Sequence, residues 1–399
     1  MGSPVSGAGY SDGVSESASQ PFLSARSDDL EPLRRLASGR PELQHVLGPL
    51  EHFVLVIDTN RVLDEIGWLV AKRRNPIART SIQELHASGT VSLFAPEHLL
   101  AEVEKHLPRV ARDYRTTVEA MDTAWKEYRS MIHFIPASHL GEADRGARDP
   151  KDVPFIQARD AVGARAIISN DKDIKAMAGL MVAHETIRIA VRYARHVTAA
   201  VQGRSIVLGG VVIVGGLAYG AVFGTVALAR AYWRLPRWLK VAIPAALLVT
   251  AAVVALHPGA RKRVREAIDS FKARWPELKA NAGVALEQFF SELSAAEADA
   301  SAALDVVKAH VPAVRKGPAL RQLAYRVCLA AGSPIPVGQM VARLKREGYE
   351  TRAKRPEDYL RRVMRTDPRF RETPTGWDLT ARVRVEAVTV LAEAGSHAG

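Results

Sequence analysis

Four short apolar runs separated by helical stretches constrain this chain more than any other feature. They are Val54–Ile57, "TVSLFA" (90–95), "IHFI" (132–135) and "ARAIIS" (164–169). Each is too short for a buried helix. The stretches between and around them, 61–73, 96–107, 112–130 and 153–163, carry helical patterns. Strands alternating with helices predict βαβ units and a mostly parallel sheet over residues 52–180, an α/β fold class.

The first run ends abruptly on an acid, in "HFVLVIDTN". The carboxyl end of a parallel strand is where open α/β sheets place their ligands. Alone, Asp58 reads equally as a turn residue or a helix cap. Other acids recur at comparable places. Glu102 lies in the helix that opens in "SLFAPEHLLAEVEKH". Asp149 and Asp152 stand at the start of a helix with Pro154 in its first turn. The strand "AIIS" runs into Asn170-Asp171-Lys172-Asp173. Each acid singly has an ordinary structural reading. Glu102 could lie on a solvated helix face, Asp149 and Asp152 could complement a helix dipole, and Asp171 could shape a turn.

Taken in order, "VIDTN", "APEHLLAEVEKH", "DPKDVPFIQA" and "IISNDKDI" make residues 52–178 resemble PIN domains, a metal-dependent nuclease fold. The resemblance covers about a third of the chain and is carried mainly by the last two motifs, about 20 residues apart. It implies an α/β/α sandwich around a parallel sheet, an acidic pocket holding Mg²⁺ or Mn²⁺, and cleavage of RNA. On that resemblance Asp58, Glu102, Asp152 and Asp171 are the catalytic acids and metal ligands. Asp149 and Asp173 stand in reserve as ligands. Physical chemistry agrees: converging carboxylates repel unless some protonate or a cation neutralises them. Oxygen donors suit hard Mg²⁺ or Mn²⁺, which acidify bound water and stabilise charge on a leaving oxygen. Asn60, Arg61, Ser169 and Asn170 are candidates for contacting substrate, with Thr59 and Lys172 beside them. A regulator or scaffold that binds nucleic acid without cutting it is the alternative from another functional class. The family usually continues after the fourth acid with another short strand. Here residues 175–196 read as helix, so a trimmed or rebuilt sheet edge is expected.

The remaining chain divides by composition. Residues 1–28 are a Gly- and Ser-rich tail lacking the basic start and apolar core of a secretory signal. Residues 29–51 read as a helical lead-in. Within 181–260, residues 205–229 carry no charge over 25 positions, long enough for a hydrocarbon core of about 30 Å. Gly216, Gly220 and Gly224 repeat at the spacing that lets membrane helices pack closely. A second apolar run at 239–257 contains Pro244 and is marginal alone; the two together read as a transmembrane hairpin. Four basic residues in its loop (Arg230, Arg234, Arg237, Lys240) face seven on its flanks (Arg192, Arg195, Arg204, Arg261, Lys262, Arg263, Arg265). That places both termini, and the nuclease-like region, on the cytoplasmic side of an inner or cytoplasmic membrane. The competing expectation is a cytoplasmic soluble chain whose apolar helices are core or association elements, and a homo-oligomer stays open. The single cysteine, Cys328, excludes a disulfide framework within one chain.

Residues 261–312 read as a helical connector and 383–399 as a C-terminal helix or tail. Between them, 313–382 predicts three helices, 318–331, 336–347 and 356–366, then a hairpin at "FRETPTGWDL". This order resembles a winged helix. The third helix is expected to bury Tyr359, Leu360, Val363 and Met364, with Arg361, Arg362 and Arg365 on another face. From 313 to 372 there are fifteen Lys and Arg against six Asp and Glu, so most of the chain's net charge of +12 concentrates here. Phosphate binding to RNA or DNA is the natural use of such a surface, and a protein contact is the alternative.

Overall fold

The computed structural model describes residues 30–31, 34, 50–141, 149–177, 180–214, 284–311, 319–346, 349, 351 and 353–383. The N-terminal tail, most of the lead-in, the run at 239–257, the glycine-spaced residues and the C-terminal tail lie outside the described residues.

β1 (Phe53–Ile57) is the central strand and is buried along its whole length. A strand covered on both faces needs apolar side chains in both directions, which explains a continuous run here instead of alternation. α1 (Thr59–Gly67) follows and passes into a π-helical turn at Trp68–Lys72. α2 (Ser81–Ala87), β2 (Val91–Pro96), α3 (His98–Asp113), α4 (Val118–Arg129) and β3 (Ile132–Ile135) complete the first half. α5 (Val153–Val162), β4 (Ala166–Ile168), α6 (Lys172–Ala176), β5 (Met181–Val182) and α7 (His184–Val214) make the second. The five strands are parallel, in the order β3-β2-β1-β4-β5. The α/β expectation therefore holds.

The trimmed edge does not. β5 adds a fifth strand, with Met181 and Val182 registered on Ile167 and Ile168. Its two residues are too few to interrupt the helical pattern read from 175 onwards. α2 was not anticipated either. Thr80 and Gln83 close a reciprocal capping box at its start.

α7 runs well past the sheet. Its first half buries Ile187, Val191, Tyr193, Ala194 and Val197 in the same core as the strands. It then pairs with α8 (Val284–His310), the most extensive contact between any two elements among the described residues. Arg204 donates to Glu297 at 2.6 Å, and His196 lies 3.8 Å from Asp299. Tyr193 and Lys308 both meet Glu51, at 3.0 and 2.8 Å. These pairs fix an antiparallel register, which brings Val214 and Val284 to the same end.

That register bears on the apolar run at 205–229. Its first ten positions, 205–214, are helical and continue α7, and α8, which carries Glu287 and Glu292, runs antiparallel to α7. The rest of that run, 215–229, lies outside the described residues. Among the described residues no helix is long and apolar enough to cross a membrane.

The C-terminal residues form α9 (Leu320–Ala331), α10 (Val337–Arg346), α11 (Pro356–Arg365) and the antiparallel pair β6 (Phe370–Thr373) and β7 (Gly376–Leu379). Ile335 bridges Trp377 by two 2.8 Å backbone bonds. Gly376 has φ +145°, and a Cβ there would sit 2.3 Å from the Ile335 carbonyl oxygen, so only glycine closes this corner. α11 buries Leu360 and Met364, but Tyr359 is 45% exposed, contrary to the sequence expectation. α9 packs against α5, β3 and β7. His139, just past β3, bonds Tyr325 at 2.9 Å and Thr380 at 3.0 Å. Gln322 donates to the Asp160 carbonyl at 2.6 Å. α9 thus lies beside α5 and against β3, so this unit is docked on the sheet-bearing part of the chain.

Candidate active site

β1, β2 and β3 step in one direction across the sheet, while β4 and β5 lie on the other side of β1. The strand order therefore reverses between β1 and β4. In open parallel sheets the crevice at that switch point, outside the carboxyl ends of the strands, is the usual ligand site.

Ile57 pairs with Ile168, which sets Asp58 beside Ser169. Asp58 caps α1, accepting from the Arg61 amide at 2.7 Å through Oδ1. Its Oδ2 accepts from the Ser169 hydroxyl. Ser169 Oγ in turn accepts from the Asp171 amide at 2.9 Å. Asp171 caps α6 by accepting from the Asp173 amide at 2.7 Å. Two strand ends are therefore stitched together through one buried serine.

Asp152 sits at the start of α5, where its side chain makes no capping bond. Pro154 supplies the first-turn residue that needs no amide partner. Burial first, then the negative charges of Asp171, Asp149, Asp58 and Asp173, push its carboxyl up to about 6. Burial likewise pushes Asp58 up to about 6; bonds from Ser169 and Arg61 oppose this, while Asp171 and Asp64 add to it. Asp58, Asp149, Asp171 and Asp173 thus all lie within electrostatic reach of Asp152, and Asp171 within reach of Asp58. Glu102 joins from α3 by accepting from the Thr59 hydroxyl, with His98 Nε2 3.8 Å away. The His98 ring meets Phe155 of α5 edge-on, with centroids 4.9 Å apart.

The other sequence candidates fare unequally. Asn60 and Asn170 are exposed at the crevice rim. Arg61 is turned away, its guanidinium bonded to the buried Glu65, and Asp64 lies 3.8 Å off. Lys172 is exposed at the start of α6. On α11, Arg361 pairs with Asp358 at 3.1 Å and Arg365 with Glu372 at 3.0 Å. Arg362 is exposed and forms no ion pair among the described residues. With Thr366 these side chains line an open groove of about 600 Å³. Sequence reading missed His98, whose signal was its i,i+4 spacing from Glu102.

An all-oxygen, mutually repelling donor set fits a hard divalent cation. No group of three or more His, Cys, Asp or Glu among the described residues is gathered closely enough to enclose one unaided. Mg²⁺ does not require that, because it commonly keeps several waters and takes one or two carboxylates.

The fold and site define a class: a parallel α/β domain with carboxylates at the switch point of its sheet. The family comparison is specific: residues 56–192 match the PIN domain model, so the chain carries a PIN domain there. PIN domains are a nuclease family, commonly using divalent metals. No curated protein and no solved structure matches the chain.

Proposed function

We propose that this chain is a Mg²⁺- or Mn²⁺-dependent endoribonuclease whose catalytic crevice is built from Asp58, Glu102, Asp152 and Asp171. The observation that carries the reading is the convergence of like-charged carboxylates from two strand ends and a helix start at the switch point of a PIN domain. Asp58, Asp152 and Asp171 would hold the cation, with Asp149 and Asp173 at its margin. When bound, it would supply charge neutralisation and Lewis acidity. The protein's own work is positional. Ser169 and the Arg61 amide fix the Asp58 carboxylate, and Thr59 holds Glu102 toward the same crevice. Asn60 and Asn170 at the rim are placed to orient the strand.

The test uses the full chain with a mixed RNA pool and Mn²⁺ or Mg²⁺, beside Asp58→Asn and Asp152→Asn. Wild type should cut, and both variants should lose at least about a hundredfold in rate, as expected where electrostatic stabilisation is removed. Cutting by both variants at the wild-type rate sinks the site. RNA binding without cutting by any form favours the binding regulator.

Two further parts belong to this proposal. The C-terminal unit is read as a winged helix contacting nucleic acid or protein, on its helix order, hairpin and basic excess. Membrane anchorage is proposed for the hairpin of apolar runs 205–229 and 239–257. Its support is the antiparallel pair α7–α8, which delivers both ends of the 215–283 segment to one place, as a hairpin anchor requires. Recovery of the full chain in the alkaline-washed membrane fraction checks it, and recovery in the wash refutes it.

A further inference from the structure

We propose that the outer face of α3 is the track along which the RNA strand leaves the crevice, held through its phosphates by Lys105, Arg109 and Arg112. This rests on the nuclease reading above and names the surface that serves it. At 100° per residue, Glu102, Lys105, Arg109 and Arg112 fall on one stripe, opposite the buried Leu99, Val103, Leu107 and Val110. Glu102 begins the stripe at the crevice, bonded to Thr59 beside Asp58. Lys105, Arg109 and Arg112 then follow, all exposed. None of the three forms an ion pair among the described residues, whereas Arg361 and Arg365 of α11 are both paired.

An unpaired run of this kind works against the helix. Like charges at i,i+3 and i,i+4 repel, here Lys105 against Arg109 and Arg109 against Arg112. The helix dipole favours a cation in the last turn, which accounts for Arg112 but not for Lys105 in mid-helix. A polyanion lying along the stripe removes the repulsion. Lys105 to Arg112 spans about 10 Å at 1.5 Å per residue, the rise of about three stacked nucleotides of one strand. The stripe starts where the scissile phosphate would lie, so charge complementarity and continuity with the crevice point to the same occupant.

The experiment measures binding of a fluorescein-labelled single-stranded RNA to the full chain by anisotropy in EDTA, across a salt series. The variant is Lys105→Gln/Arg109→Gln/Arg112→Gln, whose exposed positions leave the fold intact by circular dichroism. Its affinity should fall about tenfold or more at moderate salt, and its log K against log salt slope should flatten by about 2, at 0.7 per lost contact. With Mg²⁺ or Mn²⁺ present, KM should rise while kcat stays near wild type, because the lost contacts act on ground and transition states alike. Unchanged affinity and slope, with Asp58→Asn still abolishing cutting, overturns the track and leaves the nuclease reading standing. Asp58→Asn cutting as wild type, while the triple variant loses RNA, removes the crevice and leaves the stripe as an RNA-binding face. A wild type that neither binds nor cuts RNA overturns both.

Discussion

Asp58 is 3% exposed, and its carboxylate bonds the Arg61 amide and Ser169 while Asp171 lies close by. The bonds favour the charged form; burial and the neighbouring acid oppose it more strongly, so the group titrates near 6 in place of 3.8. A carboxyl raised in the folded state costs nothing below its unfolded value and its full penalty above its folded one. In the metal-free protein this penalty therefore appears as pH rises through about 4 to 6. A shift of that size corresponds to at most about 3 kcal/mol. Asp367 and Asp378, held low by Arg369 and by Arg371 and Arg382 against the opposing effect of burial, act in the reverse sense but below 3.8, outside this window. Burial holds His52 down to about 3 and His133 and His184 down to about 4, and these act in the opposite sense as pH falls through 6.5, so the Asp58 contribution is read as a difference between wild type and variant in EDTA. Asp58→Asn, which keeps an acceptor for the Arg61 amide, should melt higher than wild type at pH 7, and that advantage should shrink at pH 5. A lower melting temperature for the variant at pH 7 would show that Asp58 is a structural cap and not a strained acid. Mg²⁺ should raise the melting temperature of wild type more than that of the variant.

At the scale of elements, the corner between α9 and α10 and the C-terminal hairpin depends on one backbone conformation. Gly376→Ala places a side chain at φ +145° and against the Ile335 carbonyl, so either the Ile335–Trp377 bridge or the hairpin must yield. Denaturant unfolding should show a loss of about 2 kcal/mol or more, the range for a strained backbone position with a steric conflict. A change below 0.5 kcal/mol would mean that the bridge is dispensable. The glycine was legible as a turn residue in "TPTGWD"; the partner that makes it obligatory lies 41 positions away and was not. The same division runs through the chain. The short apolar runs alternating with helical stretches announced the parallel sheet, and Asp58 and Asp171 were legible at strand ends and Asp152 at a helix start before Pro154, while their grouping rested on the resemblance. β5 escaped notice because two residues leave no period. α2 escaped although Thr80 and Gln83 stand at capping-box spacing. Tyr359 was assigned to the core with Leu360, while the helix presents the two about 100° apart.

At the scale of the whole molecule, the strand-helix part and the C-terminal part are joined by more than chain. α9 lies beside α5, and α5 begins at Asp152, so whatever holds α9 also bears on one wall of the crevice. His139 is the centre of that contact. It bonds Tyr325 and Thr380, its ring meets the Tyr325 ring edge-on with centroids 5.5 Å apart, and the Arg369 guanidinium covers that same Tyr325 ring at 4.5 Å. Arg369 also reaches the Ala161 carbonyl at 3.4 Å, near the far end of α5. A buried hydroxyl left without its imidazole partner costs about 1–3 kcal/mol. His139→Ala should therefore lower the stability of the full chain by about that amount, and calorimetry should show one transition for both parts in wild type. The docking also predicts a functional consequence. If α9 steadies α5, His139→Ala should slow RNA cutting below the denaturation range, with weaker Mg²⁺ dependence of the melting temperature than wild type, although His139 is not part of the crevice. Two separate transitions in wild type, with the strand-helix part indifferent to His139→Ala, would instead make the C-terminal unit a tethered neighbour, and the position of Asp152 would then be set by the sheet and Pro154 alone.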